Sequence, residues 1–183
     1  EEKRALPESG PNGNGNVFKA FVRAGLAEHF KDYDCVTINY IDNPLTQPLD
    51  PKLTGPNAEI VVQCIEKRVE DQHMGVLVEE QGNFNIIEYT ELDHSRDYKY
   101  VYTGQLAFDF SFFCKMGDNE LPIHWVCKKV DGRWVWKGEQ FIFDVFKYAK
   151  TIVPLCVDRN THFAPIKGSE SVAQAVELLE LKG

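Results

Sequence analysis

Between Val36 and Pro44 the chain reads Val-Thr-Ile-Asn-Tyr-Ile-Asp-Asn-Pro, and this run most narrows what the chain can become. Its β-branched and aromatic residues favour an extended strand. The proline ends any regular ladder, because the residue before it is confined to extended backbone and proline offers no N–H. Asp42 and Asn43 are thereby expected at the carboxyl end of a buried strand, where an open α/β sheet presents groups to ligands. A carboxylate there can hold a hard cation against phosphate oxygens. The same residues also fit a plain strand followed by an Asx-type turn, so the rest of the chain has to decide.

Further strand-like runs lie at residues 59–66, at 100–108 and from Thr151 to Val157, the last expected as a core strand. Met74–Val78 and Asn85–Tyr89 flank the turn Gln81-Gly82-Asn83 and read as a hairpin or as neighbouring strands. Gly75 interrupts that pattern, which marks a bulge or a close approach. Glu88 and Glu91 border Tyr89 at the strand exit. Leu121–Lys129 is extended and Val130–Arg133 is a tight turn.

Helical spacing places Val17, Phe18, Phe21, Val22 and Leu26 on one face of a helix of about ten residues. A short helical turn is expected from Pro51 to Leu53, and a short helix at 109–116 with Asp109 as its cap. Phe141–Ala149 reads as an amphipathic helix, with Phe141, Val145 and Tyr148 near one face. Ser169 should cap a last helix running to Leu181, with Val172, Ala175, Val176 and Leu179 inward. Strands and helices alternate, so a mostly parallel three-layer sheet in one domain is the economical solution for 183 residues.

A net charge of −8 and a pI near 5.1 argue against a nucleic-acid surface, while leaving room for a local basic pocket for phosphates. No uncharged stretch is long enough to span a membrane, and Glu1-Glu2-Lys3-Arg4 precede no hydrophobic signal region. The five cysteines form no CxxC pair and read as small buried thiols of a reducing compartment, the cytoplasm. The histidines are scattered singly, which does not suit a Cys–His metal centre.

Residues 1–16 are turn material, and Gly13-Asn14-Gly15-Asn16 leads directly into the helix that starts at Val17. Such a loop can receive an anion or a planar base through free N–H groups. It is not a phosphate loop of the Walker type, since no Gly-Lys-Ser/Thr follows.

In this order the pieces resemble the eukaryotic-type UDP-sugar pyrophosphorylases, from Gly10 to about Lys167. The nearer likeness is to the UDP-N-acetylglucosamine branch, and UDP-glucose pyrophosphorylases are more distant. Gly13-Asn14-Gly15 is similar to the family's loop against the uracil base. Ile41-Asp42-Asn43 resembles Val-Asp-Asn, whose aspartate meets Mg²⁺ and the α-phosphate. Met74-Gly75-Val76 resembles Val-Gly-Val beside the sugar, and Ile87-Glu88-Tyr89-Thr90-Glu91 resembles Val-Glu-Tyr-Ser-Glu, with Glu88 toward sugar hydroxyls. Leu121-Pro122-Ile123-His124 with Lys128-Lys129, Lys137-Gly138-Glu139-Gln140-Phe141-Ile142-Phe143-Asp144, and Phe163-Ala164-Pro165-Ile166-Lys167 also have counterparts.

The resemblance implies a Rossmann-like three-layer mixed sheet of the nucleotide-diphospho-sugar transferase type, with residues 1–183 as the C-terminal portion of the catalytic domain. It implies transfer of a uridylyl group from UTP to a sugar 1-phosphate, with N-acetylglucosamine 1-phosphate favoured and Mg²⁺ as cofactor. Asp42, Lys137 and Lys167 would then act on phosphates and metal. Gly13, Asn14, Gly15, Asn43, Gly75, Glu88, Gln105 and His124 would hold substrates. Without the resemblance, Lys137 and Lys167 read as surface lysines, Asp144 as exposed or capping, and His124 as structural, orienting the loop that carries Lys128 and Lys129.

Two departures bear on function. The family's glycine-rich nucleotide loop is expected upstream of Glu1, on the same protein or on a partner chain, so these residues alone should turn over no substrate. Where relatives carry Gly-Asn-Ile-x-Asn-His, this chain has Gly104-Gln105-Leu106-Ala107-Phe108-Asp109, which alters the sugar pocket. UDP-glucose synthesis, or a sugar-nucleotide-binding relative without catalysis, are the alternatives.

Overall fold

A computed structural model describes residues 12–130 and 132–182. The turn expected over residues 1–11 lies outside the described residues, as do Asp131 and the side chain of Lys128. The chain divides into two compact units, one from Glu1–Asp32 and Ser111–Tyr148, the other from Tyr33–Phe110 and Ala149–Gly183.

In the first unit, α1 (Val17–Arg23) and α2 (Leu26–His29) replace the single helix expected from the spacing. Gly25 breaks it by taking φ +74°, a left-handed conformation that costs glycine little. Phe18 and Phe21 of α1 pack on Phe113, at ring distances of 4.8 and 5.3 Å.

The long second-unit strand β5 (Tyr100–Asp109) runs directly into α4 (Phe110–Lys115). Asp109 is the last strand residue and directly precedes the helix, the position at which the sequence suggested a cap. Two further strands, β6 (His124–Val130) and β7 (Arg133–Glu139), form an antiparallel ribbon. Ile142–Tyr148 winds as a 3₁₀ helix and not as the expected α-helix. Its tighter pitch buries Ile142, Phe143, Val145 and Phe146 and leaves Tyr148 outside, so the expected α-helical face does not form.

The second unit is built on a six-stranded sheet in the order β4-β3-β5-β2-β8, with β1 (Cys35–Ile38) also paired to β5. The remaining strands are β2 (Ile60–Glu66), β3 (Val76–Glu80), β4 (Asn83–Ile87) and β8 (Ile152–Cys156). The same unit also carries two short helices, α3 (Pro51–Thr54) and α5 (Arg159–His162), and the longer α6 (Ser169–Lys182). β2 is buried from Ile60 to Ile65 between β5 and β8, as its largely apolar run favours, with Gln63 buried among the apolar residues. Each fully buried aliphatic side chain there contributes about 1.5–3 kcal/mol.

The sheet is mixed, but it is not mostly parallel. β2 and β8 run parallel, and the pairs β1–β5, β2–β5, β3–β4 and β3–β5 are antiparallel. Between β3 and β4 the two-residue turn Gln81-Gly82 takes φ +54° and +80°, which suits a hairpin and is too short for a crossover.

β8, expected in the core, is an edge strand with Val153 and Pro154 exposed. Proline lacks a ladder N–H, so an edge is where it fits. On α6, Ala175 is buried against Leu45 and Ala164 with Leu178 beside it, while Val172, Val176 and Leu179 stay over 40% exposed. At the start of α6 it is Ser171, and not Ser169, whose hydroxyl accepts from the Lys167 and Gly168 N–H groups, at 3.0 and 3.2 Å.

Candidate active site

The segment after β1 is held by its own polar residues. Asn43 is buried, and its amide Nδ2 donates to the His162 carbonyl at 2.8 Å. Asn43 Oδ1 accepts from the N–H of Ala164 at 3.0 Å. One residue earlier, the Asp42 carbonyl accepts from the Ile166 N–H at 2.8 Å. Residues 42–43 are thereby laced to residues 162–166. The lacing sets the Asp42 carboxylate against the Lys167 ammonium in an ion pair. Asn43 spends its side chain on this backbone clamp, so it positions Asp42.

A second tether comes from β5. Gln105 is buried, and its Nε2 donates to the Gln47 carbonyl at 2.8 Å. Gln105 Oε1 is buried without a hydrogen-bond partner among the described residues. Gln47 in turn donates to the Thr161 carbonyl, at 3.4 Å, next to the residue that Asn43 holds. The neighbouring Gly104 lies at φ +86°, where the β2–β5 register slips between Val62 and Cys64. The Tyr40 ring lies against this bulge, in the space that a Cβ on Gly104 would take. Tyr40 also meets Tyr102 edge-on at 6.1 Å. Burial, followed by the neighbouring Tyr40, holds the Tyr102 hydroxyl well above the usual tyrosine range.

Gly75 directly precedes β3, and its carbonyl accepts from the Tyr102 N–H at 2.9 Å. A Cβ on Gly75 would meet Ile86 Cγ2 at 3.1 Å and Glu88 Oε2 at 3.7 Å. The close approach expected at Gly75 is thus made by the strand next door and by the Glu88 carboxylate. Residues 75 and 88 come together, which their separation in sequence does not require.

In the first unit, Gly13 and Gly15 press on the backbone of Gln140. The Gly15 N–H donates to the Gln140 carbonyl at 2.9 Å, and a Cβ on either glycine would collide with that residue. Asn14 Oδ1 accepts from the Ile142 N–H at 2.8 Å at the start of the 3₁₀ helix. The Gly15 N–H is therefore engaged by the fold and is not free for an anion. Lys137 on β7 pairs with Glu139 at 2.8 Å. His124 meets both oxygens of Asp144, at 3.0 and 3.1 Å, and Asp144 also accepts from the Phe141 N–H at 3.2 Å. Asp144 is largely buried and does cap this turn, and His124 reads as a brace between β6 and the 3₁₀ segment.

Several of these contacts were not read from the sequence. Tyr40, Gln47, Glu139 and Gln140 sit inside or beside the runs already singled out, but nothing in their spacing announces a partner. Among the described residues, no group of three or more His, Cys, Asp or Glu side chains is placed to hold a metal by protein ligands alone. A single carboxylate nevertheless suits Mg²⁺, which is commonly bound by one or two carboxylates with substrate phosphates and water. Asp42, about a quarter exposed at its side chain and already facing a cation, is the residue that fits. Among the same residues no helix is long and apolar enough to cross a membrane.

The family described as UTP–glucose-1-phosphate uridylyltransferase matches residues 1–180. The chain belongs to this family. Within it, a Dictyostelium discoideum protein named "Probable UDP-N-acetylglucosamine pyrophosphorylase" is 28% identical over 91% of this chain and 42% of its own length. UDP-N-acetylglucosamine diphosphorylase 2 of Arabidopsis thaliana is 29% identical over 87% of this chain and 37% of its length.

Among solved structures, the UDP-N-acetylglucosamine pyrophosphorylase of Trypanosoma brucei, in complex with an inhibitor, superposes with a TM-score of 0.76 at 25% identity. It covers 93% of this chain and 42% of that one. A UDP-glucose pyrophosphorylase of Leishmania major shares the fold, with a TM-score of 0.73 at 16% identity, over 97% of this chain and 45% of that one. This uridylyltransferase-family chain thus spans about two fifths of the curated relatives it matches.

Proposed function

We propose that residues 1–183 are the C-terminal portion of a uridylyltransferase catalytic domain, and that the whole enzyme transfers a uridylyl group from UTP to a sugar 1-phosphate. Pyrophosphate is released. The observation that carries this reading is the Asp42–Lys167 pair, laced in place by Asn43 and the Ile166 N–H. It sets a hard carboxylate and a compact ammonium side by side, the two charges that handling phosphate requires. N-acetylglucosamine 1-phosphate is the favoured acceptor, since relatives named for that sugar match at 28 and 29% identity.

The acceptor phosphate is itself the nucleophile. Its oxygen bonds to the α-phosphorus as the bond to pyrophosphate breaks, so no general base is needed. The protein's part is alignment and charge neutralisation. Asp42 would hold Mg²⁺, which when bound neutralises phosphate charge. Lys167 would turn from Asp42 to a phosphate oxygen. Within the first unit taken by itself, Gly13, Asn14 and Gly15 are the residues proposed for the base. Glu88 accepts bonds from sugar hydroxyls beside Gly75, and Gln105 is a further residue proposed for the sugar.

The test is pyrophosphate release by the complete gene product with UTP, Mg²⁺ and each sugar 1-phosphate in turn. A higher kcat/KM for N-acetylglucosamine 1-phosphate is expected. A preference for glucose 1-phosphate overturns the acceptor assignment, and binding of a UDP-sugar without turnover of any acceptor overturns the enzyme reading.

A further inference from the structure

Cys64 and Cys156 are direct partners on the parallel strands β2 and β8. Adjacent strands lie about 4.8 Å apart, inside the 4.4–6.8 Å that a disulfide spans between Cα atoms. Paired residues on neighbouring strands project to the same face, and the two thiols are within hydrogen-bonding reach of each other. Their settings differ. Cys64 is buried in the core strand, and Cys156 is exposed on the edge strand.

We propose that Cys64 and Cys156 form a reversible dithiol–disulfide switch, with Cys156 the thiol that meets the oxidant and Cys64 the resolving thiol. The oxidant is a hydroperoxide. The Cys156 thiolate attacks one peroxide oxygen, the O–O bond breaks, and the departing hydroxide takes up a proton to give water when the oxidant is hydrogen peroxide. Cys156 is then a sulfenic acid. Cys64 sulfur attacks Cys156 sulfur, the S–O bond breaks, and the hydroxyl leaves as water with the Cys64 proton. In sum, two thiols and one hydrogen peroxide give a disulfide and two waters.

Burial, and then the neighbouring Cys156, pushes the Cys64 thiol up to about 12, so Cys64 stays a thiol while exposed Cys156 is the one the oxidant reaches. The disulfide would fasten the edge strand whose continuation holds Phe163 to Lys167. Cys35, Cys114 and Cys127 are not strand partners of this pair.

The experiment treats this 183-residue chain with a slight excess of hydrogen peroxide, blocks free thiols, and maps the digest by mass spectrometry. A peptide joining Cys64 to Cys156 is expected, lost on treatment with dithiothreitol. The unfolding midpoint of the oxidised chain should rise by about 5 °C or more, since the bond closes a long loop. Cys156→Ser, at an exposed position, should abolish both effects. Recovery of Cys156 as sulfinic acid with Cys64 still a free thiol overturns the proposal. So does a Cys156 linked instead to Cys35, Cys114, Cys127 or a second chain.

Discussion

Asp42 and Lys167, 125 positions apart in sequence, form an ion pair in the folded chain. Neither side chain is deeply buried, at 26 and 67% exposure, so the pair holds the fold only weakly. An exposed pair of this kind is worth about 1 kcal/mol or less. Lys167→Met should therefore leave the unfolding midpoint within about 4 °C of the parent. In the complete enzyme it should lower kcat/KM by about a hundredfold or more, as loss of a charge on the reacting phosphates does. Urea titration and a pyrophosphate-release assay on the same preparation separate the two effects. Equal losses in both would assign Lys167 to structure.

Asn43 is the reverse case. Asn43→Ala leaves the part-buried His162 carbonyl and the buried Ala164 N–H without their partner. Each unmet group costs about 1–3 kcal/mol, so the chain should lose about 2–5 kcal/mol of stability in denaturant titration. A loss under about 0.5 kcal/mol, the range of an ordinary surface change, would show that the clamp is replaceable by water.

Gly104 and Gly82 make an internal comparison. Both hold positive φ, at +86° and +80°, so alanine is strained at either. At Gly82 nothing lies within 4 Å of the added Cβ, whereas at Gly104 the Tyr40 ring occupies its place. Gly82→Ala should cost about 1–2 kcal/mol, the scale of the left-handed conformation alone. Gly104→Ala should cost clearly more and release Tyr40, visible as a change in near-ultraviolet circular dichroism. Equal costs would mean that the ring moves aside freely.

Cys64 gives a pH signature. Its thiol is raised from 9.0 to about 12, mainly by burial. Above about pH 9 the unfolded chain releases this proton while the folded chain keeps it, so the unfolded state binds fewer protons. Its contribution to stability is therefore whole below pH 9 and is lost as pH climbs toward 12. Stability measured by urea at about pH 8 and about pH 10 should fall between the two, and less steeply in Cys64→Ala. Parallel slopes in parent and variant would remove Cys64 from the account.

Much of the second unit could be read from residues alone. The largely apolar run at 59–66 read as a buried strand, and the segments either side of Gln81-Gly82 read as a hairpin or as neighbouring strands, of which the hairpin forms, because local backbone preference and burial agree there. The ordered motifs from Gly13 to Lys167 pointed to the family that the comparison with known proteins then showed. Local signals misled where tertiary contact outweighed them. The periodicity of 141–149 is helical in either pitch, and the choice of 3₁₀ coincides with Asn14 and Asp144 taking up the Ile142 and Phe141 N–H groups. Val172, Val176 and Leu179 were expected inside, but the contact of α6 with Leu45 and Ala164 turned Ala175 inward and left them outside.

The sequence by itself determined the strands, the turns and the cast of polar residues, since these depend on φ preference, side-chain branching and local order. Only the tertiary structure decided what those residues touch. That Asn43 clamps, that Gly15 packs on Gln140, that Tyr40 fills the space over Gly104 and that Asp42 faces Lys167 are all pairings between distant positions. A hydrogen bond or an ion pair needs two groups within a few ångströms, and strand pairing and loop closure set that distance.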